Sequence, residues 1–329
     1  MPELQAILGK VVVHKVNGEK GDGPTRRQEF KVHAYPTFVL LRADGGTLER
    51  WIGYGEAKDF VGRLNGALKD PTTIEEKRAR YTTSPTWGDA ERLGVYHESC
   101  NEYIAAARYY REAQAKAKAG NRDLRFTIFD VVASGCRDGQ FTLDEVKQSA
   151  DAALAYEGRT ADEVISVARM TTSLGRKLDN RDIMVPYLEL AMQVTEGTTD
   201  EKLEKARRGL RADHALFVTK DPKKAVAFKK EGMAEGWMET SDGLNSFAWW
   251  CFENRVNLEE ADTLARKGVT LASDGPGKAA ILDTAAEICN ARGNCKDAIV
   301  LIEQAIQADP GNEYYVKQRD RFRKILAES

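Results

Sequence analysis

The sequence predicts a mixed α/β segment followed by a long all-helical array of repeated hairpins. Three observations carry this expectation. Apolar, β-branched runs of strand length gather before about residue 70. Beyond that point apolar residues recur at helical spacing, with almost no strand signal. Small or apolar residues then return at near-constant intervals from Ala106 to Ala298.

In chain order, Leu4 to Leu8 reads as a helical stub. Val11-Val12-Val13 with Val16 reads as a strand buried on both faces. Gly18, Gly21, Gly23 and Pro24 form a loop, and Pro24 suits the start of a short helix through Phe30. Thr37 to Leu41 is a second buried strand. Asp44-Gly45-Gly46 supplies the positive-φ residues of a hairpin turn, and Leu48 to Ile52 is the returning strand. Residues 57–68 make an amphipathic helix with Phe60, Val61, Leu64 and Leu68 on one face. The expected order is β-α-β-β-α over residues 1–69, then a linker over 70–83.

The remaining chain alternates helices with short breaks that carry helix-start signals. Thr142 with Glu145, Thr160 with Glu163, and Thr198 with Glu201 have capping-box spacing. Asp221-Pro222 reads as an N-cap followed by a first-turn proline. The steps from Ala106 through Val146, Met184, Ala225 and Ala261 to Ala298 are 40, 38, 41, 36 and 37 residues. They predict six helical hairpins over residues 84–311, three clear and three degenerate. Residues 312–329 are expected to cap the last hairpin with Tyr315, Arg319, Phe322 and Ile325.

Composition narrows function. In 329 residues, 49 Lys and Arg face 51 Asp and Glu, 42% are hydrophobic and 30% charged. That apolar content argues against a disordered chain. The balanced charge argues against nucleic-acid binding, which needs a basic surplus. No apolar run approaches the roughly 20 residues that span a bilayer. The opening Met1-Pro2-Glu3-Leu4 has no leader-like charge or apolar stretch. Cys100, Cys136, Cys251, Cys289 and Cys295 are odd in number and form no C-x-x-C, so neither a disulfide framework nor a zinc ribbon is expected.

Weaker motifs dissolve on inspection. Asp138-Gly139-Gln140-Phe141 with Glu145 matches the latter part of a calcium loop, but Ser134 and Cys136 would fill the first ligand positions, and Thr142 with Glu145 already makes a cap. The Gly18-to-Gly23 loop lacks the Lys-Ser/Thr ending of a phosphate loop. His14, His33, His97 and His214 have no paired metal spacing. No metal, cofactor or catalytic residue is expected in the chain as it stands.

Leu93-Gly94, Tyr103, Ala106, Tyr110 and Ala113 set small and aromatic residues at fixed offsets. Asn257 to Ala261, with Ala265 and Gly268, and Gly293 to Ala298, with Ile302, Ala305 and Pro310, repeat its second half. Lys223-Lys224-Ala225 is a weaker copy. This pattern resembles the tetratricopeptide repeat, a helical-repeat solenoid whose unit is about 34 residues. The resemblance implies that the first helix of each hairpin lines a peptide-binding groove. That places Ser246, Trp250 and Asn254 of the fifth hairpin, and Asp283, Glu287 and Asn290 of the sixth, at an acidic, partly aromatic groove suited to an extended or basic peptide. Trp249 and Trp250 are expected to serve mainly in packing between hairpins.

Val32-His33-Ala34-Tyr35-Pro36-Thr37-Phe38, followed by Asp44-Gly45-Gly46 and Ile52-Gly53-Tyr54, resembles the second half of a thioredoxin fold. The resemblance implies a cis peptide before Pro36 and a peptide-binding loop at Tyr35, Pro36 and Thr37. The combination resembles bacterial proteins that join a thioredoxin-like domain to tetratricopeptide repeats. The family's C-x-x-C and first core strand would then lie before Met1, as in an amino-terminally truncated chain. Residues 11–16 and 37–42 would flank the empty slot, or close up and pair directly.

Two functions follow. One is a non-catalytic interaction protein whose repeats bind a protein or peptide. The other is a thiol-disulfide oxidoreductase or redox chaperone whose active site lies upstream. Five unpaired cysteines fit a reducing cytoplasm, whereas an upstream signal peptide would place the protein in the periplasm or outside.

Overall fold

The computed structural model describes residues 2–328. Contacts divide the chain into two compact units, residues 1–184 and 185–329.

The first unit opens with helix α1 (Pro2–Leu8) and helix α2 (Gly23–Glu29), then strands β1 (Thr37–Leu41) and β2 (Thr47–Ile52), then helix α3 (Ala57–Lys69). The strands pair antiparallel, with Thr37 opposite Ile52 and Phe38 opposite Trp51. Gly45, at φ 90°, and the Gly46 amide, held by Asp44 Oδ1 at 3.0 Å, close the expected hairpin. Phe38 stacks on Trp51 at 5.2 Å and meets the edge of Phe60 at 5.0 Å, which fastens α3 to the sheet.

Two strand expectations are corrected. Residues 11–16 form no strand: Val12 is 98% exposed, Val13 and Val16 are also exposed, and the sheet consists of β1 and β2 alone. Nor do 11–16 and 37–42 pair. A β-branched run acquires strand structure from a partner ladder and a covered face, and these residues have neither. β1 is half-buried rather than buried on both faces, and among the described residues no strand pairs with its far edge.

The segment 70–83, expected as a linker, contains helix α4 (Ile74–Thr83). Thr73 and Glu76 form a complete capping box, and Ile74 and Lys77 are fully buried. Lys77 Nζ donates to the carbonyls of Leu48 and Thr72, which ties α4 to β2. Hairpins α5 (Trp87–Ser99)/α6 (Tyr103–Ala115) and α7 (Arg125–Arg137)/α8 (Leu143–Leu154) follow. Helix α9 (Ala161–Lys177) and a 3₁₀ turn (Arg181–Met184) end the unit. Capping boxes start α8 at Thr142 and α9 at Thr160, as the spacing predicts.

β2 is joined to α5 by buried charge. The Arg50 guanidinium donates to Ser99 Oγ (2.9 Å), to the Ser99 carbonyl (3.0 Å), to the Lys31 carbonyl (2.9 Å) and to the Phe30 carbonyl. Glu49 pairs with Arg92.

The second unit holds helix α10 (Val185–Val194), helix α11 (Glu201–Asp213) with a π-helical turn (His214–Val218), and helix α12 (Pro222–Glu231). After a 3₁₀ turn (Trp237–Glu239) come α13 (Ser241–Asn254), α14 (Leu258–Leu271), α15 (Pro276–Ala291), α16 (Cys295–Ala308) and α17 (Glu313–Glu328). One start signal is corrected: α11 is capped by Asp200, which accepts from the amides of Lys202 (2.8 Å) and Leu203 (3.0 Å), not by Thr198. Glu201 is then the first helical residue, too early for the capping-box position. Asp221 caps α12 through the Lys224 amide, as expected. Tyr315 and Phe322 of α17 are buried, while Arg319 and Ile325 are half-buried.

The hairpins share one register. Ala106, Val146, Ala225, Ala261 and Ala298 are each the fourth residue of α6, α8, α12, α14 and α16, and Met184 is the fourth residue of its 3₁₀ turn. All six are fully buried. A small side chain there lets two helices cross closely, and Val and Met mark the positions where the pattern is degenerate. The chain is thus mostly helical and built of tetratricopeptide-like hairpins beside one two-stranded sheet.

Candidate functional site

The Tyr35-Pro36 peptide is cis. The Pro36 carbonyl accepts from the Gly53 amide at 2.9 Å, and Thr37 Oγ1 donates to the Ala34 carbonyl at 2.6 Å. These bonds fix the loop at the head of β1. Tyr35 itself is 57% exposed. Its ring lies against Gly18, where even a Cβ would overlap it, with 2.8 Å left to Cζ. Tyr54, also exposed, stacks on Phe60 at 5.4 Å beside the same sheet. The loop therefore presents aromatic surface next to a strand edge.

The six residues expected at the groove differ in access. Ser246 is exposed and Asn290 half-buried. Trp250, Asn254, Asp283 and Glu287 are buried. Trp250 stacks beside Phe247 at 6.5 Å and belongs to the apolar core of the second unit. Its neighbour Trp249 is half-buried against Phe252 at 5.2 Å. Asn254 Nδ2 donates to the Trp250 carbonyl at 2.7 Å, a bond within α13. Asn290 Oδ1 accepts from Cys295 Sγ at 3.3 Å.

Asp283 and Glu287, one turn apart on α15, meet α17. The Tyr314 hydroxyl donates to Asp283 Oδ2 at 3.3 Å, and Gln318 Nε2 donates to Glu287 Oε1 at 3.2 Å. Arg321 forms an ion pair with Glu287. Asp283 Oδ1 is buried without a hydrogen-bond partner among the described residues. Burial, then the charge of Glu287, pushes the Asp283 carboxyl up to about 6. Sequence reasoning overlooked Tyr314, Gln318 and Arg321. Their i, i+4, i+7 spacing puts them on one face of α17, and that signal was available.

Other titratable groups serve the fold. All five cysteines are free and buried. Burial pushes the Cys251 thiol up to about 12 and the Cys289 thiol to about 11, so neither is a thiolate near neutral pH. His97 is buried, stacks on Tyr109 at 5.3 Å and shares a 2.6 Å hydrogen bond with Glu102. Among the described residues, no three His, Cys, Asp or Glu side chains gather as a metal site would require. No helix among them is long and apolar enough to cross a membrane.

No protein-family model matches the chain, and no curated protein sequence is significantly similar. Solved structures of repeat proteins align with much of the chain. A tetratricopeptide repeat protein from Parabacteroides merdae is 12% identical at a TM-score of 0.44, covering 80% of this chain and 98% of its own. The C-terminal part of a repeat-containing protein from Cytophaga hutchinsonii is 15% identical at 0.47, covering 79% and 96%. The TPR2AB domain of yeast Sti1, solved in complex with pHSP90, is 15% identical at 0.26, covering 72% and 96%. These scores are too low to carry the repeat assignment, which rests on the chain's own hairpins and register.

Proposed function

We propose that this protein binds a polypeptide partner through its helical hairpins, with the exposed face near Ser246 and Asn290 and the Tyr35-Pro36-Thr37 loop as contact surfaces. The observation that carries the reading is the shared hairpin register: a fully buried residue at the fourth position of α6, α8, α12, α14 and α16 marks a repeated helical-hairpin unit. The thioredoxin-like reading of the amino-terminal segment rests on β1, β2, α3 and the loop before β1. Its consequence is strand addition: an extended peptide pairing with the free edge of β1 beside Tyr35. For the groove, Ser246 and Asn290 are the accessible contacts, whereas Trp250 and Asn254 support them from within.

The test is selection of a displayed random-peptide library on the immobilised full chain, followed by binding titrations. Ser246→Arg and Asn290→Arg are expected to weaken selected groove peptides at least tenfold with unchanged circular dichroism. Thr37→Pro, which removes a β1 amide, tests the strand-edge contact. Failure to enrich any peptide, or binding indifferent to all three substitutions, refutes the reading.

A further inference from the structure

A hollow of about 440 Å³ opens between α12 and the turn that joins α13 to α14. Its apolar lining is Pro222, Val226 and Val256, and two cations, Lys223 and Arg255, stand in the same lining. Charge there is unevenly committed. The lining carboxylate, Glu260, already takes Lys230 Nζ on both oxygens, at 2.7 and 2.8 Å, and Asn257 Nδ2 on Oε2 at 2.6 Å. Asp221, the acid nearest Lys223 in sequence, is occupied in capping α12 through the Lys224 amide at 2.9 Å. Lys223 and Arg255 have no ion-pair partner among the described residues, and Arg255 only lies along the Phe252 ring at 5.1 Å.

On the α12 side the surroundings reinforce the sign, while residues 253–260 hold three Glu beside Arg255. Residues 220–231 hold five lysines against one Asp and one Glu, within a chain whose net charge is −2. The turn itself is shaped by two left-handed residues, Arg255 at φ 55° and Asn257 at φ 52°. Glycine would adopt that conformation more easily than arginine, so the sequence keeps a long cation where the backbone does not favour one. Asn257 also precedes α14 without giving it a side-chain cap, and Glu259 and Glu260 in its first turn offset the positive helix end.

We infer that this hollow binds an acidic, extended polypeptide segment: one carboxylate sits between Lys223 and Arg255 while a neighbouring aliphatic side chain covers Pro222, Val226 and Val256. An apolar floor selects against a free inorganic anion, and two uncommitted cations select against a basic or purely apolar segment. The inference rests on the polypeptide-binding reading only in taking the occupant to be a polypeptide. The site is built from α12, the turn and α14, and shares no residue with Asp283, Glu287 or the Tyr35 loop.

The experiment is fluorescence anisotropy on the full chain with two labelled probes, Gly-Glu-Leu-Glu-Leu-Gly and Gly-Lys-Leu-Lys-Leu-Gly. The acidic probe is expected to saturate, and the basic probe to bind at least tenfold more weakly at this site. Lys223→Gln and Arg255→Asn, the latter compatible with a left-handed backbone, should each weaken the acidic probe about tenfold. Lys116→Gln, an exposed change in the first unit, should leave it unchanged. Circular dichroism of each variant checks the fold. The inference is overturned by no saturable binding of the acidic probe, by binding that survives the double variant, or by equal loss in Lys116→Gln. It is also overturned if a labelled single-stranded oligonucleotide, and not the acidic peptide, depends on Lys223 and Arg255. Peptides selected on the Ser246 face that bind the double variant normally would leave the general reading standing while this site fails.

Discussion

Gly94→Ala tests the close crossing of the first hairpin. A Cβ built on Gly94 lies 2.6 Å from Cδ1 and Cε1 of Tyr110 and 3.0 Å from its Cγ. Carbon–carbon contact is comfortable at about 3.5–4.0 Å, so the ring or the helix must move by roughly 1 Å. The ring has little freedom, because Tyr110 is buried and its hydroxyl donates to Glu98 Oε2 at 2.6 Å. Overpacking of this kind costs about 1–3 kcal/mol, while alanine in a helix interior recovers about 1 kcal/mol over glycine. With a pinned ring the net loss is about 1.5 kcal/mol, or roughly 3–6 °C in Tm for a unit of this size. The matched control is Gly62→Ala in α3 of the same unit, where nothing lies within 4 Å of the new Cβ. It should raise Tm by about 1–3 °C through helix propensity alone. Both are read by thermal unfolding followed by circular dichroism. A third variant closes the argument: with Tyr110→Leu in place, Gly94→Ala should become neutral or stabilising, a coupling of about 1–2 kcal/mol. Equal shifts for Gly94→Ala and Gly62→Ala, or no coupling to Tyr110, would refute the crossing as described.

The other predictions use the same measurements. The Asp283 carboxyl is raised from 3.8 to about 6, so the folded state holds this proton more tightly than the unfolded chain does. Its ionisation therefore opposes folding above pH 6, and that cost fades as pH falls towards 4, by up to about 3 kcal/mol. Asp283→Asn should stabilise the second unit at pH 7 and match the wild type near pH 4 in urea titrations; a gap independent of pH would contradict this. Arg50→Lys should lose about 2–4 kcal/mol despite keeping the charge, because an ammonium cannot serve the spread acceptors of Phe30, Lys31 and Ser99. Val12→Asp should change stability by less than about 0.5 kcal/mol, whereas Phe60→Ala should lose about 3–5 kcal/mol; a large loss at Val12 would restore the buried strand. Trp250→Ala should destabilise the second unit by about 3–5 kcal/mol, as a core truncation does.

The legible part of the fold was the part encoded in local periodicity. The fourth-residue register was readable because one buried position recurs in every hairpin, and Thr142, Thr160 and Asp221 marked helix starts through side chains close in sequence. The failures share a cause. Residues 11–16 carry β-branched side chains, but a strand is made by its partner, and no neighbouring ladder reaches them. Helix α4 was missed although Thr73 and Glu76 have the same spacing as the boxes recognised downstream. Its inward face is marked by Ile74 and by Lys77, and a lysine reads as solvent-facing until Leu48 and Thr72 supply carbonyls for its ammonium.

Sites divide along the same line. Asp283 and Glu287 repel each other across one helical turn, so an isolated α15 would carry them at a cost. That cost implies a compensating surface, and the i, i+4, i+7 face of α17 provides it with Tyr314, Gln318 and Arg321. Both stripes are periodic, and pairing them required only that the last helix pack beside the sixth hairpin. Lys223 and Arg255 are different. They stand 32 positions apart in sequence and meet because a turn holds Arg255 and Asn257 in left-handed conformations while Glu260 turns to Lys230. No periodicity encodes such a meeting. What identifies it is the accounting of partners in three dimensions: two cations left uncommitted at an apolar hollow whose carboxylate is already satisfied.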